Sequence, residues 1–319
     1  MDKPLVTVIT PVFNEEAVIG RFYEETKKIL FTISEDFHTR ILFVVDRCTD
    51  NTMDRLREIA VRDPDAQILS LSARFGHQMS LLAGIDAASD AAVIVMMDSD
   101  LQHPPSLIPE LIRQYQLGYD IVYTVRKDTA DVSFLRKQVG NIFYGVLGAL
   151  SKTKINANAS DFRLISQRVA RLLRNEIRER NLFLRGVFSW LGFNQASVEY
   201  IAARREAGSS KYSLSRMINL AVAGILSFST KPLQLSIFAG VWLAAISFLI
   251  GLYTILEYFR QDSIPSGWTT IVTLLVFFNG VQLVFTGILG VYIGGIFEEV
   301  KGRPHYIVEE AINIKYEKS

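Results

Sequence analysis

The chain has 319 residues, enough for one large domain or two ordinary ones, and its 34 Lys and Arg against 33 Asp and Glu leave a net charge of +1. That balance supplies no global field to attract nucleic acid, and a single cysteine, Cys48, excludes an internal disulfide and a cysteine-rich metal site. Hydrophobic residues make up 49% of the chain, high for a soluble protein of ordinary charge content, and they crowd toward the C-terminus.

The N-terminus runs from Met1 through Pro4 straight into a strand-like segment, without the basic-then-apolar design of a cleaved signal peptide. The first domain is therefore expected to stay on the side of the membrane where it is made. Leu5 to Thr10 reads as a strand ended by Pro11, and Asn14, Glu15 and Glu16 open a helix with apolar residues at Val18, Ile19, Phe22, Ile29 and Leu30. Ile41 to Val45 is a second buried strand ending in Asp46, and Thr49 to Thr52 offers a cap for a helix over Met53 to Val61. A third strand spans Gln67 to Leu71, a helix follows over Gln78 to Ala88, and Ala91 to Met97 is the fourth strand. Alternating strands and helices predict a doubly wound, mostly parallel sheet. No glycine-rich dinucleotide fingerprint follows the first strand and no P-loop is present, which disfavours a dinucleotide cofactor and a P-loop kinase.

Within the fourth strand, five apolar residues from Val93 to Met97 run directly into Asp98, Ser99 and Asp100. In open α/β sheets ligands gather beyond the carboxyl ends of the strands. Two carboxylates there admit two readings: a solvated acidic turn, or the oxygen ligands of a hard divalent cation shared with substrate phosphates. Beyond them, Gln102 to Pro105 is a turn, and His103 is expected to hydrogen-bond its surroundings rather than bind metal. Ser106 to Leu117 is an amphipathic helix, and Asp120 to Val125 a strand ending at Arg126. Phe134 to Leu150 has the pattern of a helix in the membrane interface or of a plain packed helix. Arg204, Arg205 and Lys211 sit in a glycine-containing loop, suited either to a diphosphate or to anionic lipid.

No charged residue occurs from Leu233 to Leu256 or from Trp268 to Phe297, and each stretch exceeds the roughly 20 residues a helix needs to cross about 30 Å of hydrocarbon. The short polar stretch between them predicts a transmembrane hairpin. Lys211, Arg216 and Lys231 precede it and Lys301 and Arg303 follow it, which places both ends in the cytoplasm.

Seven segments carry a resemblance that extends over nearly the whole chain: Val8-Ile-Thr-Pro-Val-Phe-Asn-Glu-Glu16, Leu71-Ser-Ala-Arg-Phe-Gly-His-Gln78, Met97-Asp-Ser-Asp-Leu-Gln-His-Pro-Pro105, Ser160-Asp-Phe-Arg-Leu164, Glu179-Arg-Asn-Leu-Phe-Leu-Arg-Gly186, Ala207-Gly-Ser-Ser-Lys-Tyr212 and Ser227-Phe-Ser-Thr-Lys-Pro232. In this order, ahead of an apolar hairpin, they resemble the membrane-anchored family 2 glycosyltransferases that act on polyprenyl phosphates. Bactoprenol glucosyltransferases are the nearer likeness and dolichyl-phosphate mannose synthases the more distant one. The chain departs from the usual family pattern at Val45 and Arg47, where Asp and Gly are typical, and at Arg74, where Asn is typical. The first two lie where the family holds the nucleotide base, so the base stays open. A Gln-x-x-Arg-Trp motif of processive synthases is missing, which favours a single transfer.

The resemblance implies an α/β GT-A catalytic domain over 1–210, Rossmann-like, with an interface helix at 134–150. A juxtamembrane amphipathic segment at 211–231, a transmembrane hairpin at 232–298 (spans near 233–257 and 269–297) and a cytoplasmic tail at 299–319 follow. It implies Mg²⁺ or Mn²⁺ as cofactor, inversion at the anomeric carbon and a homo-oligomer such as a tetramer. The donor would be UDP-glucose, with GDP-mannose as the alternative, and a member of a different class would be an inactive membrane-tethered scaffold. Pro11, Asn14, Glu15 and Asp46 would lie near the nucleotide, and Asp98 and Asp100 would hold the metal against the diphosphate. Arg205 and Lys211 would close over the same phosphates. Arg126, Arg136 and Lys137 are the candidates for the acceptor phosphate. Asp161 is the implied catalytic carboxylate, although a phosphate acceptor is largely ionised near neutral pH, with a second pKa of about 6. Asp161 is therefore equally read as orienting the acceptor or completing the metal site.

Overall fold

A computed structural model describes residues 3–127, 159–180, 182–201, 231–258 and 267–314. Strands β1 (Leu5–Val12), β2 (His38–Val45), β3 (Ala66–Leu71) and β4 (Val93–Met96) are parallel and lie in the spatial order β4-β1-β2-β3. Helices α1 (Ile19–Phe31), α2 (Thr52–Arg62) and α3 (His77–Ala87) make the crossovers, and α4 (Ile108–Gln116) leads into β5 (Ile121–Lys127). Beyond β4 the sheet becomes mixed. Strand β6 (Ala159–Ser166) is antiparallel to both β4 and β5, and β7 (Gln195–Ile201) is parallel to β5. The parallel expectation thus holds for the first four strands and not for the flank that β6 builds.

Helices cover both faces of this sheet. On one face α3, α5 (Gln167–Asn175) and α6 (Leu184–Trp190) enclose Ile9, Leu42, Val44, Ile94 and Met96. On the other, α1, α2 and α4 enclose Val8, Phe43, Val45, Val93 and Val95. Strand β4 is buried along its whole length, and its successive side chains alternate between the two cores. This is why its sequence is an unbroken apolar run. Each such side chain contributes about 1.5–3 kcal/mol by leaving water. Helix α3 sits so close to β1 that a Cβ on Gly84 would meet Ile9 Cγ2 at 2.4 Å.

The reversal at β6 decides what meets at the site. Met96 pairs with Arg163 and Val95 with Leu164 in antiparallel register. Continuing that register by two residues brings Asp161, at the start of β6, opposite Asp98, just past the end of β4. Residues 63 positions apart in sequence thereby converge on one edge of the sheet.

The two apolar stretches are the helices α7 (Lys231–Tyr258) and α8 (Trp268–Val300), both long and apolar enough to cross a membrane. Their side chains, Leu235, Phe248, Tyr253 and Leu283 among them, are exposed, as the outer face of a lipid-embedded pair would be. The sequence predicts 299–319 as a cytoplasmic tail and assigns no element within it. The structure instead turns Val308–Ile312 into β8, antiparallel to β3 at the sheet edge. Arg57 pairs with Glu310 at 2.7 Å, and Asn313 donates to the carbonyls of Ala60 and Ala66 at 2.7 and 3.0 Å. The chain that leaves the second apolar helix is thus part of the same sheet as the chain that precedes the first.

Candidate active site

The carboxyl ends of β1 and β2 carry loops that hold each other. Asn14 adopts a left-handed backbone, with φ of 56°, which asparagine tolerates. Its side chain donates to Thr49 Oγ1 at 2.9 Å and accepts the Thr49 N–H at 2.8 Å. The Glu15 N–H donates to Thr52 Oγ1 at 2.9 Å, and Thr52 is in turn held by Asp50. Pro11 lies in β1 beside Val44, and its carbonyl accepts the Ser99 hydroxyl at 3.3 Å. Asp46 is buried, and its two oxygens accept the N–H groups of Phe75 and Gly76 at 2.7 and 2.9 Å. It therefore fixes the loop that opens α3. Arg47 takes φ of 45°, a backbone that glycine adopts without cost. Its guanidinium reaches over to the Ser72 carbonyl. Arg74 lies flat on the Phe13 ring, 3.9 Å from its centroid.

At the end of β4, buried Ser99 separates the partly exposed Asp98 and Asp100. Asp100 accepts the Gln102 N–H at 3.1 Å, and Leu101 turns the chain with φ of 59°. His103 is buried and stacks on Phe162, with ring centroids 5.4 Å apart. The Asp98 N–H donates to His103 Nδ1 at 3.2 Å, and His103 Nε2 lies 2.8 Å from Ser160 Oγ. His103 thus bridges the Asp98 backbone and the Ser160 hydroxyl and braces the loop.

Each of the two facing carboxylates has its own nitrogen partner. His77, the first residue of α3, lies with Nε2 2.8 Å from Asp98 Oδ1. Burial pushes the His77 imidazole toward its neutral form, but the hydrogen bond and charge of Asp98 outweigh it and raise its pKa. Burial likewise opposes ionisation of Asp98, and the His77 hydrogen bond reverses this and holds the carboxyl below its ordinary value. Asp161 receives a two-pronged bond from Arg185 on α6, Nε and Nη2 each at 2.7 Å. Burial is again opposed and overcome, so the Asp161 carboxyl titrates well below the ordinary carboxylate range. Arg163, buried behind it over the Phe188 ring, is pushed down to about 10 by burial. Gln78, next to His77, accepts the Leu184 N–H at 3.1 Å and so ties α3 to the start of α6.

The site thus offers oxygen donors for a hard cation at Asp98 and Asp100. Among the described residues no three His, Cys, Asp or Glu side chains converge as a complete metal cage. Two carboxylates without a third protein ligand fit a Mg²⁺-type ion that takes its remaining oxygens from phosphate and water. His77 and Arg185 had no role in the sequence reading, although both lie in segments that carry the resemblance. Nothing in composition or spacing pairs them with Asp98 and Asp161, because both pairings cross between elements. Arg126 is placed only through its backbone, opposite Tyr200 in β5 and β7, and its side chain lies outside the described residues. Arg136, Lys137, Arg205 and Lys211 lie outside them too.

With this geometry in place, comparison with known proteins is informative. Residues 7–174 match the family described as Glycosyl transferase family 2. The chain is 38% identical over 306 residues to the SfII prophage-derived bactoprenol glucosyl transferase of Shigella flexneri, covering 96% of this chain and 98% of the relative. It is 37% identical over 309 residues to the uncharacterized glycosyltransferase YkcC of Bacillus subtilis, covering 97% and 94%. Among solved structures, the mannosyltransferase PcManGT of Pyrobaculum calidifontis, in complex with GDP-Man and Mn²⁺, superposes with a TM-score of 0.50 at 14% identity, covering 95% of this chain and 89% of that one. That likeness concerns the fold, a GT-A arrangement.

Proposed function

The chain belongs to glycosyl transferase family 2 and is a glycosyltransferase, and from that premise we propose that it moves one hexose, with inversion, from a nucleoside-diphosphate sugar to a polyprenyl phosphate at the cytoplasmic face of a membrane. UDP-glucose is the donor this reading favours, because relatives at 36–38% identity over nearly the full chain are named bactoprenol glucosyl transferases. The observation that carries the reading is a single edge of one sheet. It presents two carboxylates suited to a metal–diphosphate and, facing them, an Arg185–Asp161 pair, in a chain whose second apolar helix is tied to that same sheet by β8.

Asp98 and Asp100 would hold Mg²⁺ or Mn²⁺, which when bound would offset the charge of the departing nucleoside diphosphate. The first-half loops, with Pro11, Asn14 and Glu15 at the ends of β1 and β2, would cradle the nucleotide. A phosphate oxygen of the acceptor attacks the anomeric carbon as the bond from that carbon to the diphosphate oxygen breaks. The acceptor is already ionised near neutral pH. Asp161, held ionised by Arg185, is a poor proton acceptor there, so its role is to orient Arg185 toward the acceptor phosphate. Arg126, Arg136 and Lys137 would add cations to that phosphate, and Arg205 and Lys211 would close over the donor. Because β8 follows α8 and joins the sheet that precedes α7, both chain ends belong on one side of the bilayer. The basic residues flanking the hairpin favour the cytoplasmic side.

The test is an incubation of purified full-length protein with Mn²⁺, polyprenyl phosphate and each of several labelled nucleotide sugars. Label from UDP-glucose in the lipid phase supports the reading. Label from GDP-mannose alone changes the sugar, and a lipid phase without label for every donor supports an inactive scaffold instead.

A further inference from the structure

Away from the site pairs, the last turn of α8 and the residues that follow it make a line of contacts to the polypeptide leading into α6. The Glu299 carboxylate accepts the Arg180 N–H at 2.9 Å, and the Arg180 guanidinium donates to the Arg303 carbonyl. His305 Nε2 lies 3.1 Å from the Arg178 carbonyl. Arg178 itself donates to both oxygens of Asp86 on α3, at 3.0 and 2.8 Å, and the Tyr306 hydroxyl donates to the same carboxylate at 2.6 Å. Burial, and secondarily the Glu299 charge, raises the pKa of neighbouring Glu179.

What this line holds is the approach to Arg185. Helix α6 is seven residues long, too short to keep its place by its own hydrogen bonds. It is fixed by Leu184, Val187 and Phe188 in the core and by the Leu184 N–H on Gln78. The strap contacts fix the chain just before it. We propose that Glu299, Arg303, His305 and Tyr306 form a positioning strap through which the end of the second membrane helix sets the placement of Arg185, and with it Asp161. These residues touch neither substrate nor reacting atoms. A lipid-borne phosphate has its height set by the bilayer. A strap leaving the bilayer-spanning helix gives Arg185 the same reference, so the cation and the phosphate meet without a search. A misplacement of about 1 Å in such a group costs on the order of a hundredfold in rate.

The inference rests on the reading of Arg185 and Asp161 as acceptor-facing, and the test separates the two. In full-length protein, Glu299→Ala removes the acceptor of the Arg180 N–H, whereas Glu299→Gln keeps a carbonyl oxygen in its place. Amide exchange over residues 182–190 is measured by mass spectrometry, alongside kcat for transfer and affinity for Mn²⁺–nucleotide. The strap predicts exchange about tenfold faster over 182–190 in Glu299→Ala, kcat lower by about tenfold, nucleotide affinity unchanged, and Glu299→Gln close to the unsubstituted protein. Unaltered exchange over 182–190 in Glu299→Ala overturns it. So does equal damage in Glu299→Gln, or faster exchange throughout β1 to β4. If the unsubstituted protein transfers no sugar, the proposed reaction fails while the exchange measurement still decides the strap.

Discussion

The edge of the sheet has two halves that are built differently. At the ends of β1 and β2 the loops are locked by hydrogen bonds between polar side chains and nearby backbone: Asn14 to Thr49, Thr52 to Glu15, Asp46 to Phe75 and Gly76. At the junction of β4 and β6 the geometry is set by side-chain pairs, His77 with Asp98 and Arg185 with Asp161. Under the proposed function the first arrangement would make a rigid cradle for the nucleotide. The second sets two carboxylates at a partly exposed edge, Asp98 beside the His77 imidazole and Asp161 beside the Arg185 guanidinium, and each partner favours the ionised carboxylate. Under the proposed function the first half would serve donor-nucleotide binding and the second phosphate chemistry.

The largest effect expected from breaking this division is at Asp98. Asp98→Asn should lower transfer by on the order of a thousandfold and abolish the Mn²⁺ dependence of nucleotide binding, read by titrating nucleotide with and without the metal. Asp161→Asn comes next, with a loss of about a hundredfold. Because the Asp161 carboxyl is held far below its ordinary value, it is ionised throughout the neutral range. The deficit should therefore be equal from about pH 6 to about pH 9, across the acceptor's own ionisation. A deficit that closes as pH rises would show that Asp161 supplies proton removal after all. The stability linked to this carboxyl has the same sign logic. A depressed carboxyl contributes above the ordinary carboxylate range and loses that contribution only as pH falls through its folded value. The difference in thermal inactivation between the two proteins should thus be flat over the same interval.

Two smaller effects sharpen the first half. Gly84→Ala puts a methyl group against Ile9 in β1 and should cost about 1–3 kcal/mol, seen as faster thermal inactivation with turnover per folded molecule preserved. Arg47→Gly relieves a left-handed backbone but forfeits the link to Ser72, so the net change in stability should stay within about 1 kcal/mol. A larger loss would mean that the guanidinium link dominates the loop.

The same contrast explains what could be read from the sequence. Strands β1 to β4 and helices α1 to α3 have apolar runs and turn residues of ordinary length, so their order and the site edge were legible. Asp98 and Asp100 were legible as candidates because carboxylates at the carboxyl end of a strand invite chemistry, and Asp161 only through the family resemblance. Their partners were not. His77 meets Asp98 across the sheet edge, and Arg185 meets Asp161 only because β6 reverses direction and α6 folds back over it. Strand β8 was missed for a related reason. Five residues with charges at Glu309 and Glu310 look like a solvated tail, and only their pairing with β3 makes them a strand.

The division of labour is tested most directly by the affinity of the Asp161→Asn protein for Mn²⁺–nucleotide, measured beside its transfer rate. The account predicts that nucleotide affinity is unchanged while transfer is lost. Nucleotide affinity that weakens in step with transfer would contradict it, because Asp161 and Arg185 would then belong to the donor site.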